Sequence, residues 1–221
     1  MLRPLLAGAV AAALLLPAQA GATLVYSKNP NHSSVWVAND DGSGARRLAP
    51  GSSPKISPDG RTVAYSVVGN ERTYRPDLMV EPADASAPPR VLAKGWRDTF
   101  TFAWTPDSRT IVTVVGPELG AKRLALIDVA TGAQRTIARG GFASVSLSPA
   151  GDQLVYSRDA KPDRYPPRSD IYRAAVAGGA PVRLTSDHRS LSPLWGPTGQ
   201  VVFVRLVAPS GASTRPRTSS T

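Results

Sequence analysis

Four proline-centred segments recur along the chain and restrict its fold more than any other feature. They are Ile56-Ser57-Pro58-Asp59-Gly60, Trp104-Thr105-Pro106-Asp107-Ser108, Leu147-Ser148-Pro149-Ala150-Gly151 and Trp195-Gly196-Pro197-Thr198-Gly199. Their prolines lie 48, 43 and 48 residues apart. A repeat of that length is one supersecondary unit that buries its apolar face only by stacking on its neighbours, and the period fits propeller blades rather than heptads or short solenoids. Proline cannot donate to a sheet ladder, and the Asp-Gly or Ala-Gly after it favours a tight turn, so each segment reverses the chain between two strands.

The strand before each turn is called A and the strand after it B. The B strands read Thr62-Val63-Ala64-Tyr65-Ser66, Thr110-Ile111-Val112-Thr113-Val114, Gln153-Leu154-Val155-Tyr156-Ser157 and Val201-Val202-Phe203-Val204, and the chain opens on the same element at Leu24-Val25-Tyr26-Ser27. A third strand, C, recurs at Val35-Trp36-Val37, Leu78-Met79-Val80, Leu124-Ala125-Leu126-Ile127 and Ile171-Tyr172-Arg173-Ala174. Strand D follows at Arg47-Leu48-Ala49, Arg90-Val91-Leu92-Ala93, Arg135-Thr136-Ile137-Ala138 and Val182-Arg183-Leu184-Thr185, beyond turns rich in Gly, Asp and Ala. Four short strands per repeat, with no helical period to compete, predict an all-β fold of four-stranded antiparallel blades. On this basis Ile56, Trp104, Leu147 and Trp195 hold equivalent places on the innermost strands.

The string Ser-Pro-Asp-Gly-x-x-apolar-Ala-Tyr-Ser at 57–66, followed by Asp77-Leu78-Met79-Val80 and Pro89-Arg90-Val91-Leu92-Ala93, resembles the WD-like blade of the TolB family and related exported propellers. The resemblance extends over 23–205 and implies a β-propeller, six-bladed in that family. The α/β domain that precedes the propeller in TolB has no counterpart in this sequence.

Residues 1–20 read as a secretory signal: a basic start through Arg3, an apolar run over 5–16 and Ala18-Gln19-Ala20 as a cleavage pattern. The run is well short of the ~20 residues that span a bilayer, so an exported mature chain is expected. The sequence has no cysteine, which excludes disulfides, thiolate metal sites and a lipid-modified N-terminal cysteine and leaves stability to packing. Lys+Arg number 26 against 16 Asp+Glu. For an exported chain this balance points to an envelope protein or an anionic polymer as partner, with nucleic acid not expected.

The repeats divide the chain into a partial blade over 23–50, blades over 51–95, 97–140 and 141–187, a partial blade over 191–205 and a tail over 207–221 of disordered composition. About four blades are thus present. One expectation is an incomplete ring cut from a six-bladed parent; the other is a four-bladed ring in which 191–195 supplies the A strand that the first blade lacks, removing exposed edges.

No catalytic constellation emerges. The serine elbow Gly-x-Ser-x-Gly is missing, and His32 and His188 fall in different blades, so no catalytic residue, metal site or cofactor is assigned. Asp59 and Asp107 share one repeat position, which indicates a role within the turn. Strand alternation places the A–B and C–D turns at one end of the blades and the B–C and D–A connections at the other, where longer connections are expected. Those connections carry the candidate binding residues Arg72, Tyr74, Arg75, Trp96, Arg97, Arg158, Lys161, Arg164, Tyr165, Arg168, His188 and Arg189. Aromatic rings interleaved with guanidinium groups supply contact area and charge-assisted hydrogen bonds. Two functions remain open: a non-catalytic binding module of the cell envelope, or an accessory or remnant propeller of a hydrolase or lyase whose catalytic part lies elsewhere.

Overall fold

The computed structural model describes residues 23–28, 33–68, 76–94, 102–116, 122–159 and 168–207. The sequence-assigned signal segment, the tail from 208 onward, and Arg72, Tyr74, Arg75, Trp96, Arg97, Lys161, Arg164 and Tyr165 lie outside the described residues.

The first blade is a three-stranded sheet of β1 (Thr23–Lys28), β2 (Ser34–Asn39) and β3 (Arg46–Pro50). The second is four-stranded, with β4 (Ser52–Ile56), β5 (Thr62–Val68), β6 (Pro76–Pro82) and β7 (Arg90–Ala93) in that order. The third and fourth merge into one seven-stranded sheet through β8 (Phe102–Trp104), β9 (Thr110–Val115), β10 (Lys122–Asp128), β11 (Gln134–Leu147), β12 (Gln153–Asp159), β13 (Ser169–Ala175) and β14 (Val182–Arg183). The hairpin of β15 (Ser190–Trp195) and β16 (Val201–Arg205) opens a fifth blade. Every pairing is antiparallel and joins strands consecutive in sequence.

β11 merges two blades because its first half pairs with β10, from Lys122↔Gly140 onward, while its second half pairs with β12, from Gly141↔Asp159 onward. It is strand D of one blade and strand A of the next. The same link between the first two blades is a single residue, Gly51, with φ 146°, and Gly140 repeats that conformation at φ 147°. A Cβ on Gly51 would stand 2.7 Å from Cδ2 of Tyr65 and 2.8 Å from the Ser66 carbonyl, so only glycine lets the chain cross so closely. The long D–A connections expected from sequence are therefore absent at these two junctions.

Period-two alternation splits each blade between two neighbours. Val63 and Tyr65 point back to pack with Val35, Val37 and Ala49 of the first blade. Ala64, Leu78 and Val80 point forward, onto Phe102, Trp104, Ile111 and Ile127 of the third. Val112, Val114, Leu124 and Leu126 of the third in turn meet Phe142, Leu154 and Tyr156 of the fourth. The face turned to the preceding blade is here termed leading, the other trailing.

Ile56, Trp104, Leu147 and Trp195 each end an A strand. Trp104 Nε1 donates to the Lys55 carbonyl at 3.1 Å and the Trp195 amide donates to Ser146 Oγ at 3.1 Å, so neighbouring A strands meet along the inner rim, where radiating sheets converge. The ring is not closed by β15, which pairs with β16 and packs on blade four; among the described strands β1 pairs only with β2. The four-bladed ring closed through 191–195 does not form.

Candidate functional site

At the A–B turns the residue before proline organises the chain. Ser57 Oγ donates to Asp59 at 2.6 Å and accepts the Thr62 amide at 2.9 Å; Thr105 repeats this with Asp107 at 2.6 Å and the Thr110 amide at 3.1 Å. The hydroxyl partners and the amides of Arg61 and Arg109 hold both carboxyls below the ordinary carboxylate range. In the third turn Ala150 replaces the aspartate, and Ser148 instead donates to Asp152 at 2.8 Å. In the fourth, Gly196 has no hydroxyl to offer.

Grooves of about 600, 790 and 550 Å³ separate the first four blades at this end. An arginine from strand D crosses each of them. Arg46 donates to the Ala83 carbonyl, Arg90 to Val129 and Arg135 to Val176. The pairings Val37↔Arg46, Val80↔Arg90 and Leu126↔Arg135 show that these are one repeat position, and each acceptor lies three residues beyond the equivalent strand-C residue of the following blade, Val80, Leu126 and Arg173. Sequence reasoning missed this clasp. At the fourth junction the position is Val182, paired with Arg173.

Between the first two blades Glu81 is buried beneath this clasp. Burial pushes its carboxyl above the usual range, against the opposing pull of the Tyr65 hydroxyl and the Arg46 guanidinium. On the inner rim, burial pulls the Lys55 ammonium down although the residue keeps solvent access, and its Nζ sits 5.0 Å from the Phe102 ring centre.

The opposite end is organised by Asp170, whose side chain is 4% exposed at the start of β13. One carboxylate oxygen accepts from Arg183 Nη2 at 2.6 Å and from His188 Nδ1 at 2.7 Å; the other accepts the His188 amide at 2.9 Å and Thr185 Oγ1 at 3.3 Å. Burial alone would raise this carboxyl, but the His188 amide, the Arg183 guanidinium and the His188 ring hold it below the usual range. The connection 184–189 is therefore wrapped around one buried charge, with His188 in the left-handed region at φ 55°. Asp187 secures the far side of the connection. It accepts from the Arg189 amide at 3.0 Å, from Ser190 Oγ at 2.9 Å and from Arg205 Nε at 2.7 Å.

Four sequence-assigned binding residues fall within this region. Arg168 and Arg189 are exposed, and they flank a buried bond from Ser169 Oγ to the Ser190 carbonyl at 3.0 Å, which brings together residues 21 apart in sequence. His188 is tied to Asp170. Arg158 is a strand residue rather than a loop cation: it pairs with Asp170 across β12–β13, its guanidinium carbon lies 5.8 Å from the Tyr172 ring centre, and its Nε passes within 2.8 Å of where a Cβ on Gly140 would stand. Among the described residues no group of three or more His, Cys, Asp or Glu side chains gathers in a metal-binding arrangement.

Neither a protein-family model nor a curated protein matches the chain. Among solved structures, TolB from Acinetobacter baumannii is similar with a TM-score of 0.64 at 18% identity, over 88% of this chain and 49% of that one. The β-propeller domain of the Trilobed protease from Pyrococcus furiosus is similar with a TM-score of 0.53 at 17% identity, over 76% of this chain and 55% of that one. The chain folds as an open β-propeller. An oligogalacturonate lyase in complex with manganese shares the propeller architecture at a TM-score of 0.58 and 13% identity, over 84% of this chain and 55% of that one. The propeller spans about half the length of the Acinetobacter TolB, and at these identities the likeness concerns architecture alone.

Proposed function

We propose that this propeller is an exported, non-catalytic module that binds an anionic partner, an envelope protein or polymer, at the end of the blades where the B–C and D–A connections gather. The observation that carries the reading is the buried Ser169–Ser190 bond, which holds the chain segments bearing the exposed residues Arg168 and Arg189 together. Neither guanidinium is tied to a carboxylate among the described residues, while the cations that shape the site, Arg183 and Arg205, are both neutralised by aspartates. Two exposed arginines on segments held together in this way suit a carboxylate- or phosphate-bearing surface. The signal pattern over 1–20 supports export, and the missing serine elbow and histidine cluster support a binding role.

The test is binding to a polyanion, with heparin as probe, titrated against salt. Affinity is expected to fall steeply as the Debye length drops from about 10 Å toward 3 Å. Arg168→Gln with Arg189→Gln should weaken binding by about tenfold and flatten the salt dependence, as expected for lost charge-assisted contacts. Arg61→Gln with Arg109→Gln, on the opposite end, should leave both nearly unchanged. Equal losses from the two pairs would replace a defined face by diffuse charge.

A further inference from the structure

Of the three grooves at the A–B/C–D end, the one between blades two and three combines an apolar lining with an uncommitted guanidinium. Both of its sides belong to blades that have a neighbour on either hand, with Val80 on the trailing face of blade two and Val129 just past β10 of blade three. Val80 is buried and Val129 packs on the same apolar cluster, so the floor continues the contact between the two sheets. The outer wall is the C–D turn of blade two, where Ala87, Pro88 and Pro89 are all exposed. Proline has no N–H to satisfy, so this stretch presents hydrocarbon without leaving a backbone donor unpaired. The equivalent turns lining the neighbouring grooves offer Asn39 and Gly44, or Ala133 and Gln134.

Charge distinguishes this groove as well. The Arg90 guanidinium crosses it and is committed to the Val129 carbonyl. Arg109 is exposed on the A–B turn of blade three; its carbonyl accepts the Val129 amide at 2.8 Å, and its guanidinium donates no hydrogen bond among the described residues. Asp128 stands in the same lining, where the Thr131 amide and hydroxyl donate to it at 2.8 and 2.7 Å and hold its carboxyl below the ordinary range. Glu81 also borders the groove, but it pairs with Val63 and turns its carboxyl to the other side of the sheet, between blades one and two. Two guanidiniums and one carboxylate thus serve this groove, whereas Arg135 is outnumbered by Asp107 and Asp128 in the groove between blades three and four.

A cleft of about 790 Å³ with a largely apolar lining and a few placed polar groups has the form of a small-molecule site. We propose that this groove binds a small amphipathic carboxylate, its apolar body on Val80, Val129 and the Pro88–Pro89 wall and its head group on Arg109. The planar fork of Arg109 matches a carboxylate, and Asp128 opposes any second negative charge, which disfavours phosphate monoesters. The site lies on the end of the blades opposite Arg168 and Arg189 and is independent of them.

The test is isothermal titration calorimetry of the full chain with octanoate as probe, kept below the concentration at which it forms micelles. Octanoate should bind saturably, octanol about tenfold more weakly, and octyl phosphate no more tightly than octanoate, the tenfold step being that of one charge-assisted contact. Arg109→Gln should weaken octanoate binding about tenfold and leave octanol unchanged. Arg61→Gln, at the same repeat position one groove away, should change neither. Pro88→Ser with Pro89→Ser should weaken octanoate and octanol alike. All four side chains are exposed, so circular dichroism of each variant should match the wild type.

The proposal is overturned by an absence of saturable binding, by octanol binding as tightly as octanoate, by tighter binding of octyl phosphate, or by equal losses from Arg61→Gln and Arg109→Gln. Unchanged octanoate affinity in the proline variant also overturns it, because the probe would then sit on another apolar surface.

Discussion

The first three blade junctions and the fourth are built by different means. Each of the first three has an arginine clasp at the A–B/C–D end, and the turns that open blades two to four each have a hydroxyl before the proline. The fourth has Val182 in place of the arginine and Gly196 in place of the hydroxyl, and its hairpin closes one residue sooner, from the Gly196 amide to the Gln200 carbonyl. Apart from the bond of the Trp195 amide to Ser146, its polar bonds lie at the other end, in Asp170, Asp187 and Ser190. The comparison teaches that a blade stack tolerates loss of its repeated fastening when a local network takes over, and that such a network can leave charged groups aimed outward.

Substitutions can break or sharpen this contrast, and urea denaturation would measure them. The largest effect is expected at Gly51→Ala, because the new Cβ meets a buried ring carbon and a backbone oxygen in a conformation that side chains avoid. The cost should be about 3 kcal/mol or more, combining backbone strain with overpacking. Gly140→Ala has the same strain but meets the flexible Arg158 side chain, so it should cost visibly less.

Next is Asp170→Asn, which leaves Arg183 and His188 without their buried anion and should cost about 2–3 kcal/mol at neutral pH. The sign of its pH dependence follows from the lowered carboxyl. Its stabilisation is complete above the ordinary carboxylate pKa of 3.8 and is lost as pH falls through the lower folded value. The stability curves of the wild type and of this variant should therefore converge below about pH 4. Parallel curves down to low pH would remove Asp170 from its organising role.

Arg90→Met should cost about 1 kcal/mol, the worth of one charge-assisted bond at a partly exposed site, whereas Val182→Met at the fourth junction should be neutral. A similar loss at both positions would end the distinction between the junctions. Smallest of all, Gly196→Ser should change stability by about 0.5 kcal/mol or less, since the added hydroxyl gains a turn bond while its Cβ pushes the flexible Gln200 side chain.

Much of the propeller was legible because each blade repeats the same alternation and turn. Proline spacing located the A–B hairpins and placed Ile56, Trp104, Leu147 and Trp195 at equivalent strand ends. The clasp was not legible, for two physical reasons. Its bond runs to the next blade, and in the first D strand two arginines stand side by side, so a strand read from Arg47 leaves out Arg46, which holds the position of Arg90 and Arg135 behind the same bulge. Asp170 left a faint signal, recurring as Asp77 just before the same core residue of strand C. Arg158 read as a loop cation because strand β12 runs two residues past its apolar pattern, and the depth of a cation beside a tyrosine depends on the neighbouring blade.

The unbroken run of β11 has a consequence for how the molecule comes apart. A strand hydrogen-bonded along its first half to one blade and along its second to the next cannot release either without exposing the edge of both. Amide hydrogens of blades three and four should then exchange as one cooperative unit, with common opening free energies on either side of Gly140. The second blade shares no strand with its predecessor, meeting it through side-chain packing, the Arg46 clasp and the Gly51 crossing, and can open in a separate step, so melting should proceed in blocks of unequal size rather than blade by blade.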